Sequence, residues 1–401
     1  MFECARVFFK LEEKDWIIKM KKVFAIADNI VSPLGINSKY NWDALLLNKS
    51  GVELQNKESI SLKNFYSALF NDSQLEKVSV KIENPDTYTK LEKLFICSIL
   101  DAASTCNIDL KSSKTLFLFS STKGNIDLLE SNKNSELFPE KIKLSVMAKA
   151  ITTYFKNQNE PIVVSNACIS GVLAIIIANY YIKEGIFNTV IVTGGDIISE
   201  FTISGFQSLY ALSKSFCKPF DQERDGINLG EAAATIILSS EKAENNNIEI
   251  NGGATSNDAN HISGPSKTGD GLSLSIKNSL KYSNFSSSEI GFISGHGTAT
   301  IYNDEMEAKA LHLSNLETTP INSLKGYFGH TLGAAGILET IIAMHSIKNQ
   351  MVIATRGYSE HGVSLPLNII KENKSYNFSK CLKTASGFGG CNASIIFSGN
   401  D

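Results

Sequence analysis

Apolar, β-branched runs alternate along the chain with longer segments of helical periodicity. The runs that predict buried strands are Val23–Ala27, Thr115–Phe119, Ile162–Val164, Thr189–Thr193 and Thr235–Leu238. Helical patterns lie between them, for example over Lys90–Cys106 and Ile169–Lys183. Strands that alternate with helices predict an α/β fold in which helices cover the sheets.

One segment of the chain is repeated in altered form. Gly230–Ser240 reads GEAAATIILSS and Gly389–Gly399 reads GGCNASIIFSG, an offset of 159 residues (394 − 235). The same offset moves the helical pattern at 169–183 to a place that overlaps a second helical pattern, Leu332–Met344. The match predicts an internal duplication, with chance similarity between two β-rich segments as the alternative. If each half contributes a central helix, we expect the site where those helices meet.

The polar stretch at 241–247 (EKAENNN) is the best candidate boundary between the halves. It predicts a first half at 20–244 and a second half at 245–401. Residues 1–19 precede a more natural start at Met20 and are predicted to be an N-terminal extension. This extension carries four acidic residues and has no clean apolar core, so it does not resemble a secretory signal.

Composition narrows the class of protein. Of 401 residues, 43% are hydrophobic and 20% charged, which is typical of a globular protein with a large core. The net charge of −3 argues against a protein built mainly to bind nucleic acid. Seven scattered cysteines without a CxxC pair indicate reduced thiols in a cytoplasmic protein. The most apolar run, Val172–Ala178, is far shorter than the ~20 residues that a membrane span needs.

Cys168 stands in the sharpest local pattern, Pro161–Gly171 (PIVVSNACISG). A short apolar strand ends in small residues, and a long apolar helix follows. A cysteine at that turn lies at a helix N-terminus, where unpaired N–H groups and the helix dipole favour the thiolate. The pattern therefore predicts a fixed nucleophile, with a small packing residue as the alternative.

Two histidines follow or precede glycine-rich turns. His296 lies in GHGTAT after a predicted strand, and His330 ends KGYFGH before the second central helix. Such settings predict imidazole rings that face a ligand. After the first turn, Asn303 is predicted to cap a helix whose first turn is acidic. Zinc binding by Cys168 and the two histidines is a weaker alternative, because no short-spaced ligand motif is present.

These segments together resemble the β-ketoacyl-acyl-carrier-protein synthases of the Cys-His-His group. The resemblance runs from about Val23 to Phe397 and rests on five motifs in the family's order. They are SNACISG, CKPFDQERDGINLGE, SGHGTAT, SLKGYFGHTLGAAG and GFGGCNASIIF. The resemblance implies a thiolase-like five-layer α-β-α-β-α sandwich of two similar halves, which agrees with the predicted duplication.

The resemblance also implies residue roles. Cys168 would take the acyl group, and His296 and His330 would promote decarboxylation of a malonyl thioester and hold the enolate. Lys325 would support the site, with Glu339 as its buried partner. The remaining implied roles concern the substrate: Thr298 and Thr300 would bind the phosphopantetheine arm, and Phe388 would gate the acyl pocket and donate its backbone N–H to an oxyanion.

Some residues depart from the family pattern where the substrate would run. Cys391 replaces a threonine, and Ser386 replaces a phenylalanine, which predicts a roomier or more polar acyl pocket. The resemblance therefore implies elongation of a fatty-acid or polyketide-type chain. A specialised synthase for aryl-polyene or pigment chains and a non-catalytic partner resembling a chain-length factor are the alternatives.

The resemblance finally implies the partners. Acyl carrier protein would deliver its substrates on phosphopantetheine, and neither a resident cofactor nor a metal is expected. A homodimer, or a heterodimer with a related synthase subunit, is expected through a sheet edge of the first half. Because carrier proteins are acidic, a basic patch near the tunnel mouth is expected in spite of the net charge.

Overall fold

The computed structural model of the chain describes residues 21–130, 139–243, 248–258 and 264–399. The extension predicted at 1–19 lies outside the described residues, as does most of the predicted boundary at 241–247.

The described residues form strands and helices in alternation. The strands are β1 (Phe24–Val31), β2 (Glu53–Gln55), β3 (Phe65–Ala68), β4 (Thr115–Ser120), β5 (Ile162–Val164), β6 (Thr189–Asp196), β7 (Leu229–Gly230), β8 (Ala232–Ser239), β9 (Ile248–Asn257), β10 (Phe292–Ser294), β11 (Ile321–Asn322), β12 (Met351–Val352), β13 (Lys374–Ser375), β14 (Lys380–Gly387) and β15 (Cys391–Gly399). The α-helices are α1 (Ser38–Leu46), α2 (Asp72–Ser79), α3 (Lys90–Ala103), α4 (Leu144–Tyr154), α5 (Ser170–Lys183), α6 (Glu200–Ser208), α7 (Asp270–Ser283), α8 (Ile301–His312), α9 (Lys325–Phe328) and α10 (Ala335–Asn349).

Ten strands form two five-stranded units with the same topology. The first runs β5-β4-β6-β8-β1 and the second runs β11-β10-β14-β15-β9. Numbered by their order along the chain, the five strands of each unit lie side by side in the order 3-2-4-5-1. Strands 3, 2 and 4 are parallel to one another, and strand 5 is antiparallel to both of its neighbours, 4 and 1. The units join where β1 pairs with β9. The repeated order confirms the duplication predicted from the sequence.

Helices form three layers around these two units. α3 packs on β1, β6 and β8 of the first unit, and α7 packs on β9 and β15 of the second. α5 and α10 lie between the units and contact strands of both. The resulting α-β-α-β-α order confirms the predicted five-layer sandwich, with core residues on both faces of each sheet.

The two central helices touch through glycine. A Cβ on Gly171 of α5 would lie 2.9 Å from the backbone nitrogen of Ile337 in α10. A Cβ on Gly336 would lie 2.5 Å from the backbone nitrogen of Val172. Only glycine allows this approach, and it brings the N-terminal ends of α5 and α10 together. Across the part of the chain that the structure describes, we find no helix with the length and apolarity to cross a membrane.

Candidate active site

Three reactive side chains converge where the central helices meet. The Sγ atom of Cys168 and ring nitrogens of His296 and His330 all lie within 4.8 Å of one another, and all three residues are buried. The two imidazole rings meet edge to face, with centroids 5.3 Å apart. Residues that the sequence placed in separate motifs, up to 162 positions apart (330 − 168), therefore form one site.

Cys168 lies in a tight turn between β5 and α5. Ala167 has a φ of +43°, a left-handed value that is uncommon for a residue with a side chain. Ser170 secures the turn, because its hydroxyl accepts the N–H of Asn166 at 2.8 Å and donates to the carbonyl of Ala167 at 2.6 Å. The turn directs the thiol towards the histidines rather than into the helix.

The thiolate expected from the helix N-terminus is not the resting form of Cys168. Burial raises the pKa of the thiol to about 12, and nearby Cys391 acts in the same direction. The ammonium groups of Lys325 and Lys123 and the backbone N–H of Phe388 favour the thiolate, but they do not outweigh burial. The free site therefore holds a neutral thiol.

The loop that carries His296 is held by two buried carboxylates of α8. Glu307 accepts the backbone N–H groups of His296 and Gly297 at 2.8 and 2.7 Å. Asp304 accepts those of Thr298 and Ala299 at 2.8 and 3.1 Å. Sequence reasoning missed both as site residues. Their spacing of three positions on one helix face, directly after the loop, was the available signal.

The cap predicted at Asn303 is wrong. α8 begins at Ile301 after Thr300, so Asn303 lies inside the first turn, where its side-chain amide donates to Asp304 at 3.2 Å. The acidic side chains that follow, Asp304 and Glu307, therefore bind backbone N–H groups of the His296 loop rather than acting mainly on the helix dipole.

His330 lies in the turn that leads into α10. The backbone N–H of Leu332 donates to its Nδ1 atom at 3.4 Å, so the neutral ring carries its proton on Nε2. That Nε2 atom is buried and has no hydrogen-bond partner among the described residues. Burial, followed by the positive charge of Lys325, lowers the pKa of both imidazoles well below the usual range. Both rings are neutral N–H donors at pH 7.

Behind the histidines, one carboxylate bridges two lysines. Glu339 of α10 forms ion pairs with Lys325 and with Lys383, the latter at 2.6 Å. The ammonium group of Lys325 also donates to the carbonyl of His296 at 3.0 Å. Lys325 therefore acts on the backbone of His296 and does not itself reach into the cavity. Lys383 was missed from the sequence, because a lone lysine in a strand pattern carries no motif.

A cavity of about 420 Å³ opens above the three reactive groups. Thr298 and Thr300 line it and share a hydrogen bond of 2.8 Å between their hydroxyls. Phe388 lines it as well and packs on Phe206 with centroids 5.7 Å apart. Ser386 lies on the wall, but its hydroxyl donates to Asn392 at 2.7 Å. A larger polar groove of about 1130 Å³ lies at the opposite ends of the strands and includes none of the predicted site residues.

The same three reactive groups must be weighed as metal ligands. Cys168, His296 and His330 offer one sulfur and two nitrogens, and no fourth histidine, cysteine or carboxylate among the described residues joins the group. Structural zinc takes four protein ligands, whereas catalytic zinc takes three and keeps a fourth position for water or substrate, so the ligand count argues only against a structural site. The ammonium groups of Lys325 and Lys383 lie close enough to act on both imidazoles. Their positive charge disfavours the binding of a metal cation at the same place.

Comparison with known proteins agrees with this arrangement. Residues 101–244 match the family model "Beta-ketoacyl synthase, N-terminal domain", and residues 248–359 match "Beta-ketoacyl synthase, C-terminal domain". A putative mitochondrial 3-oxoacyl-[acyl-carrier-protein] synthase of Schizosaccharomyces pombe is 28% identical over 94% of this chain and 99% of its own length. 3-oxoacyl-[acyl-carrier-protein] synthase 2 of Vibrio cholerae is 25% identical over 94% of this chain and 99% of its own length.

Solved structures share the fold. A β-ketoacyl synthase from Burkholderia phymatum superposes with a TM-score of 0.84 at 23% identity, covering 95% of this chain and all of the other (100%). A ketosynthase of Xenorhabdus doucetiae, solved in complex with its chain length factor, gives a TM-score of 0.82 at 23% identity over 95% and 98% of the two chains. With both family models spanning the halves that hold Cys168 and the two histidines, the chain belongs to the β-ketoacyl synthase family of condensing acyltransferases.

Proposed function

We propose that the protein joins an acyl group held on Cys168 to a malonyl group carried by acyl carrier protein, with loss of CO₂. The observation that carries this proposal is the convergence of one thiol and two neutral imidazoles within 4.8 Å. The relatives named 3-oxoacyl-[acyl-carrier-protein] synthase support the same class of reaction.

The first step loads the nucleophile. A C–S bond forms at Cys168 Sγ, the C–S bond of the incoming thioester breaks, and the thiol proton passes to the departing pantetheine sulfur. Negative charge develops on the carbonyl oxygen, and the backbone N–H groups of Cys168 and Phe388 are the proposed donors to it. Because the resting thiol is neutral, proton loss accompanies this step rather than preceding it.

The second step uses the two histidines. The bond to the malonyl carboxylate breaks, its electron pair forms the C=C bond of an enolate, and CO₂ leaves. The charge then lies on the thioester oxygen, where the N–H groups of His296 and His330 donate hydrogen bonds. One such donor lowers a barrier by ~2.7–4 kcal/mol when it is fixed in a water-poor site.

In the last step the enolate carbon attacks the acyl carbonyl on Cys168. A C–C bond forms, the C–S bond to Cys168 breaks, and the sulfur regains a proton from solvent. The thiol is then free for another cycle. We propose that no resident cofactor takes part, since the carrier protein brings the phosphopantetheine arm, with Thr298 and Thr300 as its contacts in the cavity.

The cavity mouth fits a protein-borne arm. Its rim exposes large apolar side chains, which mark interaction sites when they cluster. They are Leu209, Tyr210, Ile301, Tyr302 and Phe388. A related ketosynthase has been solved in complex with its acyl-carrier protein, which supports a carrier protein as the partner. No lysine or arginine lines the cavity among the described residues, so the expected basic patch would lie beyond the rim.

We also propose a dimer in the cytoplasm. β5 is an edge strand that pairs only with β4 among the described strands, and an open edge can pair with a second chain. Neighbours solved as ketosynthase and chain length factor pairs support a related subunit, beside a second copy of this chain, as the partner. A purely non-catalytic role fits less well, because Cys168, His296 and His330 are all in place.

Intact mass after incubation with a panel of acyl carrier-protein thioesters tests the proposal. The panel includes saturated, polyunsaturated and aryl primers, so the best-loaded chain separates fatty-acid from polyene elongation. Wild type should gain the mass of the acyl group, and Cys168→Ala should not. Cys391→Ser is the matched control, because it removes a second buried thiol beside the site and should still load. Failure of every primer, alone and with related subunits of the same source, would contradict the proposal.

A further inference from the structure

Lys383 is a fully buried cation on a strand that otherwise packs in the core. It lies in the middle of β14, opposite Ser294 of β10 in a parallel pair, and its side chain has no exposed surface. β10 ends at Ser294, two residues before His296. Lys383 therefore lies directly behind the segment that presents one of the two imidazoles.

The ammonium groups of two lysines hold three consecutive carbonyls of that segment. Lys383 Nζ donates to the carbonyls of Ser294 and Gly295 at 3.2 and 3.0 Å. Lys325 Nζ donates to the carbonyl of His296 at 3.0 Å. Both lysines share Glu339, so the position of His296 is tied to α10, the helix that follows His330.

The second lysine adds a buried charge to this cluster. Lys325 and Lys383 both pair with Glu339, and the buried carboxylate of Glu307 acts on the Lys383 ammonium group as well. Removing an ion from water into a protein interior costs several kcal/mol, and a second lysine is not needed to neutralise Glu339. A methionine would fill the same space without that cost. A buried lysine at this position therefore calls for a role that packing alone does not supply.

We propose that Lys383 is a positioning residue of the condensation, which fixes the His296 segment and supplies a positive charge behind the two imidazoles. This inference rests on the proposed function and adds a residue to it. During decarboxylation, negative charge appears on the thioester oxygen in front of the imidazole N–H groups. Decarboxylation moves the negative charge of the malonyl carboxylate onto this oxygen, so a fixed positive charge behind the imidazoles stabilises the enolate oxygen more than the neutral thioester oxygen of the substrate.

The electrostatics of the imidazoles agree with this role. Burial and Lys325 lower the pKa of both rings most, and Lys383 acts in the same direction on each. Lys123 acts on His330 as well. The titratable or charged groups around the pair are Cys168, Lys123, Lys325, Lys383, Glu307 and Glu339. Loss of Lys383 should raise the pKa of both rings. As the pH is lowered, the variant should therefore lose activity at a higher pH than wild type does.

The test separates loading of Cys168 from decarboxylation. Protein preloaded with an acyl group is mixed with malonyl carrier protein, and CO₂ release is followed over one turnover from pH 5 to 9. Lys383→Met should slow CO₂ release by roughly ten-fold or more, less than the loss expected for a direct oxyanion donor. It should leave the rate of loading unchanged and shift the acidic side of the pH–rate profile for CO₂ release to higher pH. Lys383→Gln keeps an N–H donor for the two carbonyls but removes the charge. This variant should therefore fold like wild type and still release CO₂ slowly.

Lys380→Met is the matched control. Lys380 lies on the same strand but at its surface end, paired with Glu289 at 2.9 Å, and its loss should change neither step. Wild-type rates and an unshifted acidic side of the pH–rate profile in both Lys383 variants would overturn the inference. Equal slowing of loading and decarboxylation would also overturn it. If wild type itself neither loads nor releases CO₂, the proposed function fails instead.

Discussion

Glu339→Gln tests how far one carboxylate holds the site together. Glu339 is 3% exposed and is the shared partner of Lys325 and Lys383, whose side chains are fully buried. The glutamine has nearly the same shape, so the change removes the charge and leaves the packing intact. The two buried ammonium groups then lose the carboxylate that they share.

The expected loss of stability is large. Breaking a buried ion pair by removing one partner typically costs ~3–5 kcal/mol, because the remaining charge stays buried. The amide oxygen of glutamine can still accept one N–H, so the low end, ~3 kcal/mol, is the appropriate figure. A loss of that size lowers the ratio of folded to unfolded protein roughly 150-fold. It is a large part of the free energy of unfolding of a typical protein, ~5–15 kcal/mol.

The loss should depend on pH with a definite sign. Burial already lowers the pKa of Lys383, while Glu339 opposes this effect. Without Glu339 the folded-state pKa of Lys383 falls further, so the unfolded chain binds more protons than the folded one between that lowered pKa and the ordinary lysine value of ~10.4. Stability then rises with pH across this window. The difference between wild type and Glu339→Gln should therefore shrink as the pH rises towards the ordinary lysine pKa.

Urea unfolding at several pH values, followed by circular dichroism, measures both effects. Glu289→Gln is the control, since Glu289 pairs with Lys380 at the surface and should have little influence. Glu339→Asp keeps the charge and should recover part of the loss. A Glu339→Gln variant as stable as wild type, with the same pH dependence, would refute the reasoning that this carboxylate balances buried charge.

Three further predictions follow from single contacts. Burial raises the pKa of Asp304 to about 6, so its contribution to stability is complete below the unfolded-state pKa of ~4 and is lost as the pH rises through 6. Asp304→Asn should flatten the plot of unfolding free energy against pH between these values. An unchanged slope would contradict the assignment. Lys123 favours the thiolate of Cys168, so Lys123→Met should slow alkylation of that thiol by iodoacetamide at pH 9, whereas an equal rate would exclude such an effect. Phe388→Ala removes the ring that packs on Phe206 but keeps the backbone N–H, so in competition assays loading should persist and shift towards bulkier acyl groups; loss of all loading would argue against a gating role.

The sequence was most informative where a pattern is local. The strand and helix alternation, the turn around Cys168 and the two glycine-flanked histidines each depend on neighbours in the chain. The repeated segment predicted two halves, and the strand order of the two units confirms them. The motifs gave the family, because their order along the chain is specific even where single motifs are not.

The sequence was least informative about buried charge. Lys383, Asp304 and Glu307 lie in a strand and a helix where a charged residue usually faces solvent, and only the fold turns them inward. The same limit explains the thiol of Cys168: the helix N-terminus is visible in the sequence, whereas the burial that raises its pKa is not. Charge that is paired between elements far apart in the chain leaves no periodic signal.

The duplication explains why the site is built from unlike parts. Each half places a turn before its central helix, and the glycine contact between α5 and α10 brings those turns together. The first half uses this place for Cys168 and the second uses the equivalent place for His330, while His296 follows β10 of the second half. Because Glu339 lies on α10 and binds Lys325 and Lys383, this carboxylate and both lysines belong to the second half. In the proposed mechanism the nucleophile comes from the first half and the two imidazoles that hold the enolate come from the second, so variants of Lys383 or Glu339 should affect decarboxylation more than loading.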